Sequence, residues 1–146
     1  MNELRSKLCE IAYCELGNTA TAPYWLDVQG SNPGKKYAWC GVFYLWCLRR
    51  LELCDWKWPG LYFSRKLHTT TDPQPGDLAY FDQPFQHHAM VQSVDGDTVN
   101  LIQGNYGTPG RVDESVCNIK AKHPVFYSIQ PLVDAKMASI CSASTS

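Results

Sequence analysis

The sequence has no C-x-x-C pair, no block of basic residues and no apolar run of membrane-spanning length. Each gap removes a class of protein. Structural zinc sites are usually built from closely spaced cysteine pairs, so a zinc-stapled fold is not expected and no metal or other cofactor is implied. Thirteen Lys and Arg stand against fourteen Asp and Glu. That balance lacks the basic footprint of a nucleic-acid binder. A transmembrane helix needs about 20 largely apolar residues, and no segment offers them. The opening stretch, MNELRSKLCEIAYCELG, is broken by charge throughout and has no apolar h-region, so it does not read as a signal peptide. The expectation is synthesis in the cytoplasm.

What is present suits one soluble domain. A chain of 146 residues, 45% hydrophobic and 18% charged, can bury a substantial core. Seven cysteines, an odd number without a secretory leader, argue against a disulfide scaffold. A monomer is expected, with residues 1–134 forming a single catalytic domain and 135–146 a flexible C-terminal tail. Five tryptophans and eight tyrosines are available for core packing or for lining a cleft.

Leu4, Leu8, Ile11 and Ala12 recur at helical spacing, so a first amphipathic helix is expected over about 3–15. Gly, Pro, Asn and Thr then dominate 18–36, which reads as a long loop. A second helix is expected over about 40–51 and a short third one within LYFSRKLHT. DPQPGD is a turn cluster, LAYF a short buried strand, and HHAMVQSVDGDTVNLIQGN a hairpin around Asp95-Gly96. RVDESVCNI and VFYSIQPL supply further strands. Helices first and strands later give an α+β fold with an antiparallel sheet.

Candidate chemistry centres on KKYAWCGVFYLWC, where Cys40 stands at the junction of loop and helix. A thiol is a strong nucleophile only as thiolate, and a helix N-terminus favours the anion. A cysteine hydrolase also needs an imidazole in reach and a group to orient it. His87 and His88 open a strand whose hairpin partner ends in Gln103, Gly104 and Asn105. Neighbouring strand residues face opposite ways, so one of the two histidines points at Cys40. A three-residue Val94-Asp95-Gly96 loop pairs Val91 with Val99, Ala89 with Leu101 and His87 with Gln103. That register sets apolar against apolar and selects His87.

Together, WCGVFYLWC, QPGDLAYF and HHAMVQSVDGDTVNLIQGN resemble the CHAP domain, the cysteine, histidine-dependent amidohydrolase/peptidase family of cell-wall lysis, related to NlpC-like papain-fold hydrolases. The resemblance covers roughly residues 3–131. It implies a papain-like α+β fold, N-terminal helices on an antiparallel sheet, and Cys40 as nucleophile toward an amide carbonyl. It implies His87 as base and the Gln103-Gly104-Asn105 segment as orienter. Gln103 stands where many members have Glu, so Gln103 and Asn105 both remain candidates. Peptidoglycan is then the expected substrate, with Trp25 and Trp39 bordering the groove and Trp56 and Trp58 as further candidates. Burial in the core equally suits Trp39. With no export signal, the protein would act on the wall after lysis or delivery, as a phage lysin or an antibacterial effector, with which a delivery system or an immunity partner is compatible. Two other readings stay open: a CHAP-like binding module without turnover, and an amidase of a small cytoplasmic amide.

Overall fold

A computed structural model describes residues 2–34 and 37–145. Helix α1 (Glu3–Tyr13) starts at Asn2, whose side chain accepts from the Leu4 N–H. Helix α2 (Ala22–Gln29) occupies part of the stretch expected to be loop. Its proline lies in the first turn, where no N–H is needed, and Gly30 closes it in the left-handed conformation. Over the described residues 18–34 the loop-like composition therefore belongs to the flanks of a short helix whose apolar Tyr24, Trp25 and Val28 face the core, while residues 35 and 36 of the expected loop lie outside the described residues.

Helix α3 (Cys40–Arg50) agrees with expectation and is buried on most sides. Helix α4 (Phe63–Lys66) leads into strand β1 (His68–Thr70). Then come β2 (Leu78–Phe81), β3 (His87–Asp95), β4 (Thr98–Tyr106), β5 (Arg111–Asn118), the one-turn helix α5 (Ile119–Lys122) and β6 (Val125–Ser128). Helix α6 runs over Gln130–Thr145, through the stretch expected as a flexible tail, of which residue 146 lies outside the described residues. Val133, 1% exposed, anchors its first turns, whereas Met137 and Ile140 lie open.

The six strands form one antiparallel sheet in the order β1-β6-β2-β3-β4-β5. Helices α1 and α3 pack on one face, over Leu78, Met90 and Ile102. The other face carries a second apolar cluster of Ala79, Ala89, Val91, Val99, Leu101 and Phe126. Gly104 lets α3 come close, because a Cβ there would sit 2.6 Å from the Trp39 ring and 2.7 Å from the Phe43 Cβ. No helix among the described residues is long and apolar enough to cross a membrane.

The PGD turn before β2 is tied down by charge. Arg5 Nη1 donates to Asp77 Oδ1 at 2.9 Å and to the Pro75 carbonyl at 2.8 Å, while its Nη2 donates to Gln130. Asp77 also accepts the Gln74 and Ile129 N–H groups. Both charged side chains are almost fully buried, at 5% and 1% exposure. This clasp joins α1, the turn and the start of α6, and so fixes where β2 begins.

Candidate active site

Hairpin register decides which histidine meets the thiol. Asp95 pairs with Thr98, leaving Gly96-Asp97 as a two-residue loop, and the register steps at Gln92 before Val91 pairs with Leu101 and Met90 with Ile102. The three-residue loop expected from sequence does not form. The two sets of residues that share a face are nevertheless those expected. His87 lies with Gln103, Ala89 and Leu101; His88 lies with Met90 and Ile102.

The error lies in which face receives α3. Cys40 Sγ is 3.5 Å from Nδ1 of His88, not from His87. The expectation of His87 rested on apolar pairing of Val91 with Val99 and of Ala89 with Leu101 on the face that carries it. Both faces are in fact buried, so apolar pairing alone cannot choose between them. The bulkier Met90 and Ile102, together with Gly104, mark the face on which α3 sits.

Around Cys40 and His88 lies a cavity of about 440 Å³, lined among others by Gly41, Trp58, Tyr62, Tyr80 and Gln86. The His88 ring is held edge-on by Tyr80, with centroids 5.1 Å apart, and by Phe63 at 5.6 Å. No hydrogen bond reaches His88 Nε2 among the described residues. Gln103 and Asn105, the expected orienters, do not line this cavity. The Gln103 amide donates to the Asp113 carbonyl and accepts from Ser115 on the far face. Asn105, at φ 56°, turns its side chain toward Gly110.

Trp25 and Trp39 do not border the cavity either. Both are 3% exposed, and Trp39 stacks on Tyr24 with centroids 5.8 Å apart. They are core. Trp58, from the WKWPG stretch, supplies the indole at the cleft. Trp56 packs at the edge of the core. Tyr80 and Gln86 were not singled out by sequence. Their signal is strand phase: Tyr80 pairs with His88, and Gln86 lies two residues before it.

Electrostatics run against a preformed thiolate. Burial raises the Cys40 pKa above its ordinary value of 9.0, outweighing the backbone groups of His88, Gly41 and Cys40 itself, which lower it. The dipole effect expected from the helix start is therefore overcome by desolvation. Burial, with a smaller contribution from the His87 charge, lowers His88 to about 4. Burial thus works against both the thiolate and the imidazolium and favours the pair as thiol and neutral imidazole. On the far face burial also lowers His87. Its Gln103 neighbour opposes that shift, yet His87 Nε2 is buried without a hydrogen-bond partner.

The N-cap residue Trp39 makes no side-chain capping hydrogen bond, and the backbone N–H groups of Cys40 and Gly41 at the start of α3 face the sulfur. Among the described residues the cysteines form no disulfide. Among the described residues no three His, Cys, Asp or Glu side chains gather as a metal site.

The family model of the CHAP domain matches residues 32–105, about half of the chain, and includes Cys40, His88 and Asn105. No curated protein and no solved structure matches. A cysteine at the start of a helix, an imidazole beside it on an antiparallel sheet, and that match agree: the chain belongs to the CHAP domain family of amidase- and peptidase-type cell-wall hydrolases.

Proposed function

We propose that the protein hydrolyses an amide bond of peptidoglycan through Cys40, with His88 as its general base. The 3.5 Å approach of Cys40 Sγ to His88 Nδ1 inside an open cavity carries this reading. The neutral imidazole takes the thiol proton as sulfur attacks the carbonyl carbon, so the thiolate forms only as it is consumed. The oxyanion develops beside the uncapped N–H groups at the start of α3. His88 returns the proton to the departing amine, leaving an acyl thioester on Cys40. Water, losing a proton to the same nitrogen, attacks the thioester, and the carboxylic acid and the thiol are released.

Tyr80 and Phe63 hold the imidazole plane in place of a polar orienter. This reading includes access to the wall at lysis or by delivery, as a lysin or an effector. Digestion of purified peptidoglycan, with mass spectrometry of the released fragments, tests it and identifies the bond. New amine and carboxylate ends that vanish with Cys40→Ala support the proposal. The missing orienter favours a second reading, a CHAP-like module that binds without turnover; wall binding with no released fragment would establish that one instead.

A further inference from the structure

The sheet carries a second cavity, also of about 440 Å³, on the face turned away from Cys40. A row of rings crosses three adjacent strands there. Phe81 and His87 have centroids 6.3 Å apart, and His87 and Tyr106 are 6.5 Å apart. Phe85, 69% exposed, and Tyr106, 39% exposed, present aromatic surface to solvent at its mouth. Between and around the rings lie the neutral polar groups of Gln83, Gln103, Asn105 and Ser115. Lys122 is the one permanently charged residue among the described lining. Among the described residues His87 Nε2 has no hydrogen-bond partner, and a buried polar atom left so calls for one.

Open rings beside neutral amides and hydroxyls suit a ligand that is apolar on its ring faces and rich in hydroxyl and amide groups at its edges. An N-acetylated glycan has that character, and a single lysine tolerates a carboxylate on it. Placement adds a second argument. Gln83, Pro84 and Phe85 line this cavity while Gln86, the next residue, lines the one that holds Cys40. The two cavities therefore open on either side of one short loop.

We infer that the His87 face is a glycan-binding subsite, in which an N-acetylhexosamine segment of the substrate rests on Phe85 and Tyr106 while its peptide arm crosses the 82–86 loop to Cys40. The assignment of substrate rests on the peptidoglycan reading above, but the binding does not require turnover. The full chain carrying Cys40→Ala is titrated with a soluble β-1,4-linked tetramer of N-acetylglucosamine and followed by amide chemical shifts. Saturable binding is expected, weakened about tenfold or more by Phe85→Ala and by Tyr106→Ala. Tyr13→Ala, on the exposed face of α1, serves as control and leaves it unchanged. Phe85 is the deciding position should Tyr106→Ala fail to fold, since it lies in an exposed loop. Absence of saturable binding, or equal affinity in the Phe85→Ala protein, overturns the inference. Tetramer binding without any peptidoglycan cleavage by the unmodified protein would leave the subsite standing and remove the catalytic reading; cleavage without tetramer binding would do the reverse.

Discussion

Cys40 and His88 meet at 3.5 Å because a helix start and a strand start are brought to the same end of the sheet. His87, one residue earlier, belongs to the other face. The first prediction follows directly. His88→Ala lowers peptidoglycan cleavage by about 10²–10⁴, the usual worth of a general base. His87→Ala keeps its turnover number and changes only the affinity for glycan-bearing substrate. Rates of fragment release from the two variants, compared at saturating substrate, check the assignment; loss confined to His87→Ala would return the base to the residue expected from sequence.

The pH dependence has a definite sign. His88 is held at about 4 by burial, so it stays deprotonated and able to accept a proton well below the ordinary histidine value of 6.5. The acid limb of kcat/KM is therefore expected near pH 4. Stability moves with it. The unfolded chain takes up the His88 proton below about 6.5 while the folded one resists until about 4, so stability falls as pH drops through that window. His88→Gln should flatten this part of the curve in denaturant titrations at pH 7 and pH 5.

Thiol labelling should follow exposure. Cys14 and Cys141 are exposed, whereas Cys40 is 6% exposed and its pKa is raised by burial. With limiting iodoacetamide at pH 7, peptide mapping is expected to show Cys14 and Cys141 modified before Cys40. Cys47, fully buried and with its pKa pushed well up, should remain unlabelled. Fast labelling at Cys40 would mean that the thiolate is preformed, and the base-assisted attack proposed above would have to be replaced.

How far these features were legible depends on what kind of signal each leaves. The helix over Cys40–Arg50, the hairpin and the α+β class follow from periodicity and turn residues, which act locally. Helix α2 was hidden because its eight residues lie between turn-forming ends. The partition of the hairpin into two faces was readable; the face chosen by α3 was not, because Ala89 and Val91 are as buried as Met90. That choice is a matter of tertiary fit, visible only in Gly104 against Trp39 and Phe43. Trp58 was among the groove candidates, whereas Tyr80 was read only as part of a short buried strand, because its place beside His88 depends on the pairing of two strands.

Gly41 leaves room for the close approach of Cys40 and His88. A Cβ at this position would lie 2.9 Å from the Trp58 ring and 3.2 Å from His88 Nδ1. Gly41→Ala is thus expected to push the imidazole or the indole outward and to reduce kcat by about tenfold to a hundredfold, in keeping with displacements of about 1 Å in an active site. Thermal stability should change little, since the glycine lies in a helix and alanine favours that state. Unaltered kcat would show that the Cys40–His88 spacing tolerates the methyl group.

The Arg5–Asp77 clasp makes the last prediction, one about folding that bears on catalysis. Asp77 receives a guanidinium and two backbone N–H groups while being 1% exposed. Asp77→Ala strands the Arg5 charge in the interior and leaves the Ile129 and Gln74 N–H groups without their acceptor. Breaking one side of a buried pair costs about 3–5 kcal/mol. A marginally stable domain has only about 5–15 kcal/mol in total, so a large fall in the urea midpoint is expected. Asp77→Asn keeps an acceptor for some of these donors and should fall between the two. Replacing both partners, Arg5→Met with Asp77→Leu, removes the stranded charge and should recover part of the loss, although the two N–H groups remain unpaired. The clasp begins strand β2, which carries Tyr80 to the His88 ring. Any variant that loosens it should therefore lose activity at temperatures where the far-UV spectrum is still native. An unfolding free energy for Asp77→Ala within about 0.5 kcal/mol of the parent would show that the ion pair is incidental to the fold.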